Sequence, residues 1–113
     1  MTIKFDFKTL ETGFEADWPV QVAVPVDGGK VEQREFMARF RTPTPAEIEA
    51  ADKIEDQTDK LKLIVQTGFI GLGAGETDTL TPAMFEQMWT SSNVQLALIR
   101  AYGTFRTASP AKN

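Results

Sequence analysis

The stretch LKLIVQTGFIGLGAGETDTLTPAMFEQMWTSSNVQLALIRAYGTF, residues 61–105, contains nearly all the bulky hydrophobic side chains in the second half of the chain. Only three acidic residues interrupt it, Glu76, Asp78 and Glu86. The pattern is typical of the end of a long helix, a glycine-rich break and two further apolar helices. We therefore expect the second half of the chain to be mainly helical and to supply most of the core.

The long helix is predicted over about 45–67. Thr44 and Glu47 form a capping-box pattern, and Pro45 stands at the first helical position, where its missing N–H costs nothing. Apolar residues then recur at steps of three and four, with acidic residues on the opposite side. This arrangement predicts one amphipathic helix of about 20 residues.

Two shorter helices are predicted after the glycine-rich break. Thr81, followed by proline, marks the start of a helix over about 82–90. Ser92 and Gln95 form another capping-box pattern ahead of a helix over about 93–106 that is apolar on almost every side. Such a helix is either central to its own domain or covered by a partner.

A β-hairpin is predicted before the helices. Apolar residues alternate strictly over 18–26, and the two prolines of this segment fit an edge strand or irregular strand ends. Gly28-Gly29 supplies a tight turn, and the returning strand covers about 31–41. A two-stranded hairpin alone is marginal in water, so its apolar face must pack on the helices. The predicted fold class is α+β, an antiparallel hairpin packed on a mainly helical C-terminal part.

Two other segments carry weaker patterns. Ile3, Phe5 and Phe7 alternate with charged residues, which predicts a short N-terminal strand. The glycine-rich run over 68–75 lacks the spacing of a phosphate-binding loop and follows a helix, so we interpret it as a helix cap and a flexible turn. Three apolar residues of this run are expected to enter the core: Phe69, Ile70 and Leu72.

Length and composition limit the classes of function. The 113 residues fit a single domain over 1–113, with a short polar tail over about 108–113 that we expect to be mobile. The net charge of −4 argues against a nucleic-acid partner, because such proteins usually carry a basic surface. No stretch approaches the roughly 20 apolar residues that span a membrane, so no membrane partner is expected.

The composition also argues against catalysis. The chain has no histidine and no cysteine, which removes the commonest general base, the thiol nucleophile and nearly all zinc sites. Glu55 and Asp59 are four residues apart on the acidic helix and could bind a hard cation, but nothing nearby indicates a pocket, and a solvated acidic face is the favoured interpretation. We expect a non-enzymatic protein with no cofactor and no metal.

Charge is distributed unevenly along the chain. Acidic residues concentrate over 47–59, and no acidic residue follows Ser91. One interpretation is an ordinary solvated surface; the other is head-to-tail attraction between copies. The residues that would carry this self-association are Glu55, Asp59, Arg100 and Arg106.

The helix over 82–90 carries Met84, Phe85, Met88 and Trp89 on one face. Methionine adapts to irregular surfaces and tryptophan anchors interfaces, so this face is either part of the core or a partner surface. Our hypothesis for a partner-binding set joins it to aromatic residues of the neighbouring segments. The set is Phe69, Phe85, Met88, Trp89, Tyr102 and Phe105.

Several of these patterns, in this order, resemble the tail assembly chaperones of long-tailed bacteriophages of the siphovirus type. The likeness covers the chain from about Trp18 to its end. Its elements are the hairpin PVQVAVPVDGGKVEQREFMARFR, the acidic helix TPAEIEAADKIEDQ, then IVQTGFIGLG, TLTPAMFEQMW, VQLALIRAYGTF and the terminal Lys112-Asn113.

The resemblance implies a protein without a catalytic site that binds the long, hydrophobic, helix-rich tape measure protein. It would keep that protein soluble in the cytoplasm of the bacterial host until tail tube protein polymerises around it, and it would be absent from the mature virion. The tail tube protein is a further candidate partner, and copies of the chaperone would form a helical or spiral array. The alternatives are a structural tail or head–tail connector component and a small adaptor protein.

Overall fold

The computed structural model describes residues 2–109, which form a three-stranded sheet and five helices. The α+β class predicted from the sequence is confirmed. In chain order the elements are α1 (Thr9–Thr12), β1 (Glu15–Val26), β2 (Lys30–Arg41), α2 (Pro45–Asp52), α3 (Gln57–Gly68), β3 (Phe69–Leu72), α4 (Pro82–Thr90) and α5 (Ser92–Arg106).

The hairpin of β1 and β2 is the largest part of the sheet, which has the order β1-β2-β3 and is antiparallel throughout. Its three-residue loop includes Gly28 and Gly29 with φ of 84° and 73°, values that favour glycine. Val20 lies opposite Phe36 in the register. The alternating apolar side chains of residues 18–26, and those of Phe36, Ala38 and Phe40 in β2, are buried or half-buried, so the predicted hairpin is confirmed.

The two prolines of β1 occupy positions that need no ladder hydrogen bond. Pro19 lies opposite Met37 and Pro25 opposite Val31. The carbonyl of Met37 accepts from Gly73 N–H at 2.8 Å, so the polar groups of this residue point away from β1. Because the direction of the backbone N–H and C=O groups alternates along a strand, those of Val31 also point away from β1. The backbone nitrogens of the two prolines therefore face the open edge of β1, where no ladder hydrogen bond is needed. The prediction of an edge strand is confirmed.

The core lies between one face of the hairpin and helices α3, α4 and α5. The ring of Phe40 is central, with centroids 5.2 Å from Tyr102, 5.7 Å from Phe69 and 5.6 Å from Phe105. Most of the core comes from the second half of the chain, as predicted. Its buried members are Val20, Val22, Ala38, Phe40, Val65, Phe69, Phe85, Trp89, Ala97, Leu98, Ala101, Tyr102 and Phe105.

The single helix predicted over 45–67 is wrong, because the chain forms α2 and α3 with a break between them. The predicted capping box at Thr44 and Glu47 does begin α2. At Asp56 the backbone is extended, and the carboxylate accepts from Asp59 N–H at 2.9 Å, so it caps a new helix. An aspartate that bonds to nearby backbone competes with continuation of the helix.

The flexible turn predicted over 68–75 is also wrong in part. The first residues after α3 form β3, which pairs with the C-terminal end of β2. Leu72 lies opposite Ala38, and Phe69 lies opposite Phe40. Phe69 is buried and Leu72 packs against the core, as predicted. Ile70 is 44% exposed, contrary to the prediction, because alternate residues of a strand point to opposite faces.

The strand predicted at the N-terminus is absent from the described residues. Ile3 and Phe7 are 81% and 73% exposed, and no strand lies beside them. An isolated strand has no ladder partner, so the alternating pattern alone does not produce one. After Asp6 the chain turns into the short helix α1, with Lys8 N–H donating to the Asp6 carboxylate at 3.0 Å.

The last two helices have nearly the predicted bounds. Thr81 caps α4 by accepting from Met84 N–H at 3.1 Å, as predicted. The capping box predicted for α5 is wrong: its N-cap is Ser91, and no side chain caps it. Ala108, in the predicted mobile tail, ends α5 in a left-handed conformation, while residues 110–113 of that tail lie outside the described part.

Candidate partner-binding groove

An open groove lies between α5 and the face of the hairpin that points away from the core. Its volume is about 480 Å³, within the usual range of binding clefts. The hairpin supplies odd-numbered residues of both strands, and α5 supplies residues of its first two and a half turns. The lining residues are Gln21, Ala23, Pro25, Val31, Gln33, Ser92, Asn93, Leu96, Ala97 and Arg100.

Two hydrogen bonds fix α5 along the outer edge of β1. The side-chain amide of Asn93 donates to the carbonyl of Ala23 at 2.7 Å, and the indole N–H of Trp18 donates to Thr104 Oγ1 at 3.2 Å. Between Asn93 and Thr104, the side of α5 that faces away from the groove packs into the core through residues such as Leu98. The helix therefore covers the β1 edge and forms one wall of the groove.

The lining of the groove is half apolar and half polar, and we call its apolar residues the floor and its polar residues the rim. Val31 is 64% exposed and Leu96 47% exposed, and both lie beside Pro25 and Ala23. Glutamine and asparagine side chains form most of the rim; among residues 2–109, Arg100 is its cation and no acidic residue lines the groove. This combination fits a partner that presents apolar side chains with an acidic group beside them.

Five of the six side chains in the predicted partner-binding set are in the core. Phe69, Phe85, Trp89, Tyr102 and Phe105 are each at most 7% exposed, so they offer almost no surface to a partner in this fold. The interpretation as core, left open for the α4 face, is the one that the structure supports. The physical reason is that a small domain needs its large aromatic side chains to exclude water.

Met88 and a shallow hollow nearby are the accessible remainder of that set. Met88 is half-buried and packs against the edge of the core. Phe69 and Phe85 line an open hollow of about 200 Å³ together with residues at the start of α4. The residues around this hollow are Gln66, Phe69, Leu80, Thr81, Pro82 and Phe85.

The four residues predicted to mediate self-association are all exposed. Glu55 lies between α2 and α3, and Asp59 lies in the first turn of α3. Arg100 belongs to the groove, while Arg106 is the last residue of α5. None of the four forms an ion pair with another residue of the described part, 2–109.

A polar joint connects the base of the hairpin to α2. The guanidinium of Arg41 donates to both carboxylate oxygens of Glu47, at 2.9 and 2.7 Å, and Thr44 N–H donates to the same carboxylate at 2.9 Å. The hydrogen bonds from Arg41 lower the pKa of Glu47 to about 2, and the same contact raises the pKa of Arg41. The joint therefore stays charged at neutral pH.

A second polar contact holds the glycine-rich loop against the sheet. The Asp17 carboxylate accepts from Ala74 N–H at 3.1 Å and from the Arg39 guanidinium at 3.2 Å. The hydrogen bond from Ala74, followed by that from Arg39, lowers the pKa of Asp17. Together with the bond from Gly73 to Met37, these contacts fix the loop after β3.

No group of three or more acidic side chains in the described part is arranged to hold a metal ion. Within the same part of the chain, no helix is both long enough and apolar enough to cross a bilayer.

The groove was not predicted from the sequence, although one part of its pattern was visible. Leu96 lies on the other side of α5 from the core residues Leu98 and Tyr102, so a helix apolar all round must leave such a residue outside. The hairpin wall could not be predicted, because the alternation over β1 places Ala23 and Pro25 on one face without indicating what lies beside that face.

These features define a small α+β domain with an open apolar groove between a helix and a hairpin. No family model, curated protein or solved structure matches the chain.

Proposed function

We propose that this chain is a tail assembly chaperone of long-tailed bacteriophages, without catalytic activity, which binds the tape measure protein and keeps it soluble during tail tube assembly. The observation that carries the proposal is the open groove, whose apolar floor includes Val31 and Leu96. The order of sequence patterns that resembles this family supports it. Both point to binding of an apolar helix.

The groove suits an amphipathic helix better than an extended peptide. Its α5 wall presents Asn93, Leu96 and Arg100, which recur at steps of three and four and so form one ridge of a helix. A second helix could pack against this ridge and place apolar side chains on the floor. Arg100 at the rim would pair with an acidic residue of that helix.

Leu96→Glu is the variant that tests this surface. It places a carboxylate on the apolar floor while Leu96, 47% exposed, contributes little to the core. In co-expression with the tape measure protein, whose coding sequence is expected immediately downstream, we expect loss of co-purification and aggregation of the tape measure protein. The matched control is Leu61→Glu, because Leu61 is 39% exposed on α3, outside the groove.

Two results would count against the proposal. Full protection of the tape measure protein by the Leu96→Glu variant would remove the groove from the binding site. Equal loss in both variants, with both still folded by circular dichroism, would mean that surface charge rather than the groove decides the outcome.

A structural component of the tail or of the head–tail connector is the second candidate. It is favoured by the long hairpin, since β2 extends well beyond the four residues of β3 and could join other chains edge to edge. The two candidates differ in the virion: a chaperone leaves before maturation, whereas a structural component remains. Mass spectrometry of purified virions distinguishes them. An adaptor unrelated to phages would be indicated by a genomic neighbourhood without tail genes.

A further inference from the structure

We propose that residues 2–6 of one copy, here called the N-terminal arm, add a strand to the free edge of β2 in a second copy. The arm would run antiparallel to β2 and pair with residues 30–34. This contact does not depend on the tape measure protein, so it can fail or hold separately from the proposed function.

The free edge of β2 begins where β3 ends. Met37 is the β2 residue nearest the hairpin turn that has backbone partners on the β3 side. Its carbonyl accepts from Gly73 N–H at 2.8 Å, and its N–H donates to the Glu76 carboxylate at 2.9 Å. Since alternate residues of a strand point to the same side, Val31, Gln33 and Glu35 direct their backbone groups to this edge. No described residue of the chain bonds to them there.

Residues 2–5 of the N-terminal arm belong to no helix or strand and have no backbone partner, while the carbonyl of Asp6 accepts from Thr9 N–H at 3.1 Å. Among the described residues, none forms a backbone hydrogen bond with residues 2–5. Ile3 is 81% exposed, and Phe5, 46% exposed, packs on Phe7 and Phe14 rather than on the core. Exposed apolar side chains that alternate with charged ones are typical of a strand without its sheet.

Charge and apolar character agree in one antiparallel register. With Lys4 opposite Glu32, Asp6 falls opposite Lys30 and Phe5 falls opposite the exposed Val31. Both charged pairs are then of opposite sign, and the apolar pair lies on the groove side of the sheet. A slip of two residues would instead place Lys4 opposite Arg34, and a slip of one would move Phe5 to the other face.

The arm is too short to reach the edge in its own chain. Glu15, where the arm joins the sheet, lies opposite Arg41, ten residues from Val31, or about 33 Å along β2. Phe5 is also ten residues from Glu15, but four of those residues form α1 and rise only about 1.5 Å each. The segment from Phe5 to Glu15 therefore spans at most about 26 Å, less than the distance of about 33 Å needed to bring Phe5 beside Val31 of the same chain. Only a second copy can supply the strand.

Such a contact joins two different surfaces of the same molecule. Each copy that donates its arm still has a free β2 edge, and each copy that accepts an arm still has its own arm. Heterologous contacts of this kind propagate unless they close into a ring. The expected products are therefore oligomers that grow with concentration.

Disulfide trapping tests the contact without interference, because the native chain has no cysteine. Residues in an antiparallel hydrogen-bonded pair have Cα atoms about 5.5 Å apart, within the range of disulfides. We expect a Phe5→Cys variant mixed with a Val31→Cys variant to yield a disulfide-linked dimer on mild oxidation. A Phe5→Cys variant mixed with Thr58→Cys, an exposed residue of α3, should yield none above background.

Two outcomes of the trapping experiment would overturn the proposal. Equal dimer from both mixtures would mean random collision. Dimer from Ile3→Cys with Val31→Cys, without any from Phe5→Cys, would mean that the register above is wrong.

A second test uses the chain without cysteines. Val31→Pro removes the N–H that points to the free edge, and it leaves the pairing with β1 intact because that N–H makes no bond to β1; Val31→Thr keeps the N–H and is the matched control. In sedimentation velocity we expect the native chain and Val31→Thr to associate with rising concentration and Val31→Pro to remain monomeric. A monomeric native chain at its highest soluble concentration, or association of Val31→Pro equal to the native chain, would refute the proposal.

Discussion

The hydroxyl of Tyr102 donates a 2.7 Å hydrogen bond to the main-chain carbonyl of Arg41, which ties the last helix to the end of β2. The ring of Tyr102 reaches this carbonyl by passing directly over Gly68, the final residue of α3. A Cβ atom at residue 68 would overlap the ring, so the glycine makes the contact possible. The side chain of Tyr102 thus brings α5, β2 and α3 into contact with one another.

Removal of the Tyr102 hydroxyl or addition of a methyl group at Gly68 is expected to destabilise the fold. Tyr102→Phe leaves the Arg41 carbonyl without its partner and should lower the free energy of unfolding by about 1–2 kcal/mol. Gly68→Ala forces the ring to move and should cost about 1–3 kcal/mol. Urea denaturation measures both. Gly71→Ala is the control, since a Cβ there meets nothing within 4 Å, and a loss equal to that of Gly68→Ala would contradict the explanation.

The ionisation of Tyr102 should be delayed in the folded protein. Burial raises the pKa of its hydroxyl to about 12, above the ordinary value of 10. The neutral phenol therefore stabilises the fold fully below pH 10, and this contribution is lost as the pH rises through about 12. Because Tyr102 is the only tyrosine, an absorbance titration of the native chain reports it alone. A midpoint near 10 in the folded protein would contradict this prediction.

Acid should weaken the joint between Arg41 and Glu47. The pKa of Glu47 in the fold is about 2, below the ordinary value of 4.5, so the ionised carboxylate stabilises the fold above pH 4.5 and loses that effect as the pH falls toward 2. Glu47→Gln should lower the free energy of unfolding at pH 7 by about 1–2 kcal/mol and flatten its decline over this range.

The matched control for Glu47 is Glu49→Gln, which removes the same charge from an exposed residue of α2. Thermal unfolding at pH values from 7 to 2 gives both curves. If Glu49→Gln produced the same loss and the same flattening, overall charge and not the contact with Arg41 would be responsible.

The break between α2 and α3 depends on Asp56. Asp56→Ala removes the carboxylate that accepts from Asp59 N–H, and loss of an N-cap costs about 1 kcal/mol. Thermal unfolding should show this loss, while Glu55→Ala, an exposed neighbour that caps nothing, should change little. Unchanged stability together with unchanged helix content for Asp56→Ala would mean that the break has another cause.

The end of α5 can be improved by one substitution. Ala108 has φ of 54°, and Ala108 N–H and Ser109 N–H donate to Phe105 and Thr104 carbonyls at 3.0 and 2.9 Å, the pattern of a Schellman cap. Ala108→Gly should raise the free energy of unfolding by about 0.5–1 kcal/mol, because glycine adopts this conformation without strain. The same substitution at Ala50, an exposed residue inside α2, should lower it by a similar amount. Equal signs for the two variants would rule out the cap.

The α+β class and most element boundaries could be predicted because they depend on neighbours in sequence. Each of these features is determined by residues that are close together in the sequence. Examples are the alternation over β1, the Gly28-Gly29 turn and the threonine caps at Thr44 and Thr81. The break at Asp56 was local too, since Asp56 and Asp59 stand three apart like a cap and its N3 residue. That pattern lies inside an otherwise continuous apolar stripe, which by itself indicates one helix.

The groove could not be predicted, because exposure is a property of the whole fold. Phe85, Trp89 and Tyr102 have the composition of an interface, yet the small core uses them to exclude water. Leu96 and Val31 look ordinary in the sequence, and they face the groove only because α5 lies along the edge of β1.

The stretch over residues 61–105 shows the same division. Its sequence alone determined that it would be mainly helical, that proline and threonine would begin α4, and that it would supply most of the core, because periodicity and capping are local. Only the tertiary structure decided that Phe69–Leu72 would be a strand and which apolar side chains would stay outside. The reason is that β3 exists only where β2 offers unpaired backbone groups, and a side chain is buried only where another element covers it.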